Sequence, residues 1–407
     1  MNISITPKRL SGSVIPPPSK SMAHRLIIAA ALSGGTSTLT GISFSQDILA
    51  TLNCISALGA SWQQIGTSVI RIHGLGGTSY TGALPQLDCG ESGSTLRFMI
   101  PIALAVAGGG IFTGRGRLME RPQKPYFDLF CEKDILYKQS GGALTVQGQL
   151  TPGEYRLPGD VSSQFFTGLL YALPLLNGQS TVVSTTPLES ADYITLTMGA
   201  MEKSGVPVRF SKNTNTFLIR PATYRPIELP VESDWSQAAF WYAALVLGSQ
   251  LQIQGMDEHS AQGDKIVAKL AGTLSISGDV TIDMSGCPDL LPPLAVMAAV
   301  RKGTTIFCKA ARLRLKESDR LATVAAMLTA LGGKIIELPD SLIVHGVSSL
   351  TGGIVDGAND HRIVMAAAIA ATRCRSPVTI LGAEAVNKSY PDFWKVYEDL
   401  GGEVHVL

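Results

Sequence analysis

Six stretches of this 407-residue chain share one plan: "ALSGGTSTLTG" from Ala31, "AVAGGGIFTG" from Ala105, "PLLNGQSTVVS" from Pro174, "ALVLGSQLQIQG" from Ala244, "AAVRKGTTIFCK" from Ala298 and "ATRCRSPVTILG" from Ala371. Each is the end of an apolar helix, a Gly or polar break, and a short β-branched strand. They recur about every 55 to 75 residues, a longer period than most solenoid repeats have. A second helix closes in a similar way within the repeat, most clearly at "ISALGASW", "MEKSGVPV", "MLTALGGKI" and "YEDLGGEV". Glycine after the last apolar turn caps such a helix, and a strand follows. The unit is therefore helix, strand, helix, strands, used about six times, and the chain is expected to be α/β.

The six first helices are apolar nearly all round: "RLIIAAAL", "LRFMIPIALAVA", "FFTGLLYALPLL", "AAFWYAALVLG", "LLPPLAVMAAV" and "IVMAAAIAAT". Helices of that kind are buried. Each is preceded by a polar cluster: "PSKSMAHR", "DCGESGST", "GDVSSQ", "VESDWSQ", "SGCPD" and "GANDHR". Ser162 and Asp234 read as ordinary N-caps. Capping does not account for Lys20, Arg25, Arg97, His361 and Arg362, which are cations near the positive end of a helix. Placed there repeatedly, they point to helix starts that converge on shared anions.

Two further clusters are charged. "GRGRLMERPQKP" is Arg/Lys-rich and loop-like, and "ARLRLKESDRLA" is predicted to open the helix that ends at "ALGG", with Lys316, Glu317 and Arg320 at helical spacing on or near one face. A carboxylate ringed by cations serves either as a structural ion pair or in proton transfer. No Walker A loop, no strand-linked GxGxxG and no HExxH occurs, so nothing calls for a nucleotide or a metal.

Composition narrows the class. Lys+Arg 33 against Asp+Glu 32 leaves no basic surplus for nucleic acid. The six cysteines stand apart, with no C-x-x-C pair, which fits neither a metal nor a disulfide framework. The N-terminal residues lack a signal-peptide core, and the longest apolar runs are too short to span a bilayer. A cytoplasmic protein with no membrane partner is expected.

In chain order, "PPSKSMAHR", "ESGSTLRF", "RLMERP", "DVSSQF", "LKESDRLA", "NDHR" and "NKSYPDFW" resemble the motifs of the EPSP synthase (3-phosphoshikimate 1-carboxyvinyltransferase) family of enolpyruvyl transferases, from Pro17 to Trp394. The resemblance implies two similar domains, each of three βαβαββ units, with the active site in the inter-domain cleft. Residues 1–18 and 233–407 would form domain I, and residues 19–232 domain II. It implies transfer of the enolpyruvyl group of phosphoenolpyruvate to shikimate 3-phosphate in the pathway to chorismate and the aromatic amino acids. The chemistry is addition and then elimination of phosphate, without a cofactor. A monomer that works on these two small molecules is expected.

Roles follow from the matched positions. Lys20 corresponds to a lysine that touches both substrates and assists proton transfer. Ser21 and Arg25 would hold the shikimate moiety, and Ser162, Ser163 and Ser190 its 3-phosphate, with Tyr193 as a neighbour. Gln164 would bridge the ligands. Arg121, Arg320, Arg362 and Lys388 would clamp phosphoenolpyruvate, and Gly93 would let the backbone approach it. Asp289 corresponds to the base near the 5-hydroxyl, Glu317 to the acid near C3, and Lys316 would hold the shikimate hydroxyls. In that family the herbicide glyphosate occupies much of the phosphoenolpyruvate site, so Gly93→Ala would raise its inhibition constant more than the KM of phosphoenolpyruvate.

The chain departs from the common pattern at three positions. Glu91 and Ser94 stand where many members have Asn and Thr, and Arg312 where some have Asn. The alternatives are a UDP-N-acetylglucosamine enolpyruvyl transferase and a non-catalytic anion-binding protein of the same fold. The first usually carries a reactive Cys in the loop that here reads "GRGRLMERP", where the nearest is Cys131. The second should have lost Lys20, Asp289 or Glu317.

Overall fold

Alanine and leucine favour helix, and a helix that is apolar on every side is stable only if surrounded. The computed structural model of the chain, which describes residues 1–77 and 80–407, places six such helices in two cores. Lys20–Leu32, Gly93–Ala107 and Ser163–Ala172 belong to one core, and Trp235–Val246, Leu291–Ala299 and His361–Ala371 to the other. Every residue of His361–Ala371 and of Leu291–Ala299 is buried. Among the described residues no helix is long and apolar enough to cross a membrane.

Contacts divide the chain into a central unit, Lys20–Glu232, and a terminal unit, Met1–Ser19 with Ser233–Leu407. In the terminal unit the outgoing and returning passages lie side by side. Pro18 bridges Ser233, and the Asp234 amide donates to the Pro17 carbonyl at 2.8 Å.

Short β-branched strands build small sheets over the buried helices. Among the described residues five are four-stranded and repeat one pattern. In the second repeat Gln86–Asp88 runs parallel to Gly109–Thr113, which pairs antiparallel with Ala143–Gln147, and Leu136–Ser140 closes the edge. Two sheets are completed from a distance in sequence. Glu228–Pro230 supplies the first strand beside Thr36–Thr40, and Ile3–Thr6 pairs with both Val378–Leu381 and Glu403–Val406.

The fourth repeat is shorter than expected. Its sheet has two strands, Ser11–Val14 and Gln250–Ile253, paired in parallel. Its second helix, Val267–Leu274, runs after a five-residue connection into Val280–Asp283, the first strand of the next repeat. The final hairpin of the βαβαββ plan is missing there. The sheet class and the repeat hold, with one unit truncated.

Candidate active site

The polar clusters at the starts of the buried helices do two jobs. One is capping: Ser92, Ser162, Asp234 and Asp360 accept from the amides of Thr95, Gln164, Gln237 and Arg362, which satisfies donors the helix leaves open. The other is holding cations at helix ends that disfavour them. Sequence reasoning assigned these cations to external anions, but in this structure they also have partners within the protein.

In the central unit Lys20 begins its helix and forms a 2.5 Å ion pair with Asp47, from the first turn of Gln46–Ala57. Arg25, one turn on, donates to the carbonyls of Ser21 at 2.6 Å and Tyr193 at 2.9 Å and to Thr197 Oγ1 at 2.9 Å. Its guanidinium lies over the rings of Phe98 and Tyr193. Burial lowers its pKa to about 10, against the opposing pull of Tyr171 and Tyr193. Ser190 has φ 53, and its carbonyl accepts from the Tyr193 amide, so Ser190, Tyr193 and Arg25 form one group.

A second group joins two helix starts. Arg97 Nη1 donates to Gln164 Oε1 at 2.8 Å, and Gln164 Nε2 donates to Ser94 Oγ at 2.9 Å. Ser162 and Ser163 open the same helix as Gln164, where amides point outward. Gly93 opens the other, and the Arg121 guanidinium lies against it. A Cβ on Gly93 would stand 2.5 Å from Arg121 Nη1.

The terminal unit holds the densest charge. The buried Arg320 guanidinium meets Asp289 at 2.6 Å, Glu317 at 2.6 Å and Asp360 at 2.8 Å. Asp289 also takes Lys316 at 3.1 Å and Arg362 at 3.6 Å. Lys388 donates to the Asn359 carbonyl, beside Asp360. Burial alone would raise the pKa of Asp289, but Lys316, Arg362 and Arg320 override it and hold the carboxyl well below the ordinary value. Asp360 is also lowered, against burial, chiefly by Arg320. Burial lowers the Lys316 ammonium, and Asp289 only partly offsets this. Burial would lower Arg320 too, but Asp360, Glu317 and Asp289 raise it above its usual value.

One expectation about this cluster is corrected. Lys316 and Glu317 are not on the helix that carries Arg320. That helix is Arg320–Ala330, capped by Asp319, and a 3-10 turn, Ala311–Leu315, precedes the loop 316–319. The Asp319 side chain caps the amide of Ala322 and so stops the helix from starting earlier. Arg314 pins the loop through Asp319 and Glu337.

The structure thus brings Asp289, Lys316, Glu317, Arg320 and Arg362 into one cluster, with Lys388 beside it. Lys20, Ser21, Arg25, Gly93, Arg121, Ser162, Ser163, Gln164, Ser190 and Tyr193 all lie at or beside helix starts of the central unit. Sequence reasoning missed Asp47 as a partner for Lys20 and Asp360 as a partner for Arg320. Asp360 had a signal, since it stands directly before His361 and Arg362, but a cap explains an Asp there equally well.

His24 introduces a pH dependence. Burial, then Lys20 and Arg25, hold its pKa well below 6.5, so it is neutral in the fold and protonates more readily once unfolded. The unfolded chain then binds the extra proton, and stability falls as pH drops below about 6.5, by at most about 1.4 kcal/mol per pH unit for one group. Urea midpoints measured between pH 7 and 5 should show this fall and should show less of it in His24→Asn. Equal slopes in the two proteins would assign the effect elsewhere.

Comparison with known proteins gives four findings. The family described as EPSP synthase (3-phosphoshikimate 1-carboxyvinyltransferase) matches residues 5–397. The 3-phosphoshikimate 1-carboxyvinyltransferase of Clostridium kluyveri is 42% identical over 419 residues, covering 99% of this chain and 98% of that protein. The protein of that name from Clostridium novyi is 44% identical over 427 residues, covering 98% of each. Among solved structures, EPSP synthase from Acinetobacter baumannii matches with a TM-score of 0.81 at 24% identity over 100% of both chains, and the enolpyruvyl transferase NikO from Streptomyces tendae with 0.77 at 16%, covering 99% of this chain and 98% of that one. These two structures speak to the fold alone.

Proposed function

We propose that this chain, which belongs to the EPSP synthase family, carries out its transfer with Asp289 and Glu317 as the proton-moving groups and the cations around them as electrostatic clamps. The chain transfers the enolpyruvyl group of phosphoenolpyruvate to the 5-hydroxyl of shikimate 3-phosphate, giving 5-enolpyruvylshikimate 3-phosphate and phosphate. Its central and terminal units are taken as its two domains.

In the addition step the 5-oxygen bonds to C2 of phosphoenolpyruvate, and C3 gains a proton. Asp289, kept ionised by its three cations, takes the hydroxyl proton, while Glu317 delivers one to C3. In the elimination step C3 gives a proton back, the C2–O bond to phosphate breaks, and the enol ether forms. Lys20 assists the proton transfers. In the central unit Ser21 and Arg25 hold the shikimate ring. Ser162, Ser163, Ser190 and Tyr193 hold its 3-phosphate, Gln164 lies against both ligands, and Gly93 and Arg121 take phosphoenolpyruvate. In the terminal unit Lys316 holds shikimate hydroxyls, and Arg320, Arg362 and Lys388 neutralise phosphoenolpyruvate.

One observation carries this division. Arg320 is shared by three carboxylates that differ in exposure: Asp289 and Glu317 side chains are 18% and 19% exposed, and Asp360 is 0%. An arriving anion can displace the outer two from the guanidinium but not the inner one. Asp360 then keeps Arg320 in place, while Glu317 gives up its contact with the guanidinium and carries the proton.

Phosphate release with shikimate 3-phosphate as acceptor, run beside UDP-N-acetylglucosamine, tests the reading. Turnover with the sugar nucleotide and none with shikimate 3-phosphate would overturn it. A cytoplasmic monomer completes the proposal, and light scattering that returns the mass of two chains would remove the monomer from it.

Gly93 gives a sharper test. Its added methyl meets the far end of a flexible side chain, not backbone, so the fold can absorb it by moving Arg121. Gly93→Ala should leave the melting temperature unchanged, raise the KM of phosphoenolpyruvate several-fold, and raise the glyphosate inhibition constant further, because glyphosate is the longer ligand. Equal factors for the two ligands would mean that Gly93 does not discriminate between them.

A further inference from the structure

Four buried polar side chains from the first core form a single file of hydrogen bonds. His24 Nδ1 lies 2.7 Å from Thr51 Oγ1, which lies 2.7 Å from Thr95 Oγ1, which lies 2.7 Å from Ser92 Oγ. None of the four residues is more than 1% exposed. Three helices are joined, Lys20–Leu32, Gln46–Ala57 and Gly93–Ala107, the last through its cap residue.

The direction of the file follows from one hydrogen per hydroxyl. Thr95 gives its hydrogen to Ser92, which also accepts from the Thr95 amide at 3.2 Å. Thr51 therefore gives its own to Thr95, and the imidazole donates to Thr51 from Nδ1. The competing acceptor for Thr51, the Asp47 carbonyl, is at 3.4 Å. His24 is thus the Nδ1–H tautomer. Its Nε2, buried with no hydrogen-bond partner among the described residues, is a bare acceptor.

The two ends of the file coincide with two parts of the site. His24 is one turn beyond Lys20, and Thr51 is one turn beyond Asp47. Lys20–Asp47 and His24–Thr51 are therefore successive rungs between the same two helices. At the other end Ser92 caps the helix that opens with Gly93. Apolar side chains would pack these helices at less desolvation cost, and what a fully satisfied polar file adds is a fixed geometry.

We propose that His24 is a positioning residue that acts through Thr51 and Thr95 to fix the Lys20 ammonium relative to the Ser92–Gly93 turn. The proposal rests on the reading above that Lys20 and Gly93 meet phosphoenolpyruvate. Small misplacements of such groups are costly to turnover.

Three substitutions separate this role from simple packing. His24→Phe fills the space without a donor. His24→Asn puts an amide N–H near the position of Nδ1–H, and His24→Gln puts one near Nε2. With shikimate 3-phosphate saturating, His24→Phe should lower kcat/KM for phosphoenolpyruvate by about tenfold or more, His24→Asn should recover most of that loss, and His24→Gln should not. A cycle with Thr95→Val should be non-additive, because both changes cut one file.

Wild-type kcat/KM in His24→Phe, no recovery in His24→Asn, or an additive cycle would overturn the proposal. If His24→Phe does not fold, Thr95→Val against Thr95→Ser makes the same comparison, and equal kcat/KM in those two refutes it. Lys20→Ala and Gly93→Ala are measured alongside. If they leave kcat/KM unchanged, the site reading has failed. If they lower it and the His24 and Thr95 variants do not, the relay alone has failed.

Discussion

Asp289→Asn and Glu317→Gln are each expected to lower kcat by about a hundredfold or more, with much smaller changes in KM. Both substitutions keep shape and remove the ability to exchange a proton. Asp289 faces Lys316, Arg320 and Arg362, so its neutralisation leaves these cations less compensated. That favours anionic ligands, and KM should not rise for lack of charge. Steady-state rates with both substrates varied give the split between kcat and KM. A variant with near-normal kcat would lose its assigned role. A variant whose main defect is a lower melting temperature would mark its carboxylate as structural.

The third carboxylate on Arg320 should behave in the opposite way. Asp360 is fully buried, bonds Arg320 Nε at 2.8 Å, accepts from Ser318 Oγ at 3.0 Å and caps its helix at the Arg362 amide. Removing one partner of a buried pair strands the other, so Asp360→Ala is expected to destabilise the protein by about 3 kcal/mol or more. Urea denaturation decides it, and a loss under about 1 kcal/mol would show that Asp289 and Glu317 suffice to hold the guanidinium. Acid should expose the same pair. Because the pKa values of Asp289 and Asp360 are depressed, their contribution is fully present above the unfolded value of about 4 and is lost as pH falls through the folded values. The carboxylate losses therefore lie at lower pH than the loss expected from His24.

The repeat and the buried helices could be read from the sequence because they rest on local patterns, an all-round apolar run and a Gly break, that each copy restates. The polar helix starts were legible for the same reason: Ser162 and Asp234 cap as their position implies. Asp47 was not, because "SQDILA" reads as any acidic first turn, and only the packing of two helices brings it to Lys20. The placement of Lys316 and Glu317 in a loop was obscured by helical spacing that runs on through Asp319, where the cap overrides it. His24 and Thr95 lie in the polar clusters "PSKSMAHR" and "DCGESGST" and read as part of those helix starts, while Thr51 looks like a tolerated polar residue in an apolar run, and only the meeting of three helices joins them. The truncated repeat did leave a trace, since Ala244 and Ala298 stand closer in sequence than any other pair of neighbouring repeat starts.

That short repeat shows which part of the unit the architecture can do without. The helix Trp235–Val246 stays buried and capped, and its neighbours keep their sheets, although Gln250–Ile253 has no pair of antiparallel strands beside it as the same strand has in the five full copies. Elsewhere the antiparallel strands bury Ile70, Ile72, Leu144, Val146, Leu342 and Val344 in the cores, so the short repeat does without a packing layer that the other copies use. The connection that stands in its place, residues 275–279, is held by Arg301, which donates to the Ile276 carbonyl at 2.6 Å, and by Asp279, which accepts from the Thr304 amide at 2.7 Å. The strand left bare there is only four residues long and turns Gln250 and Gln252 to water, which gives another chain little to zip onto.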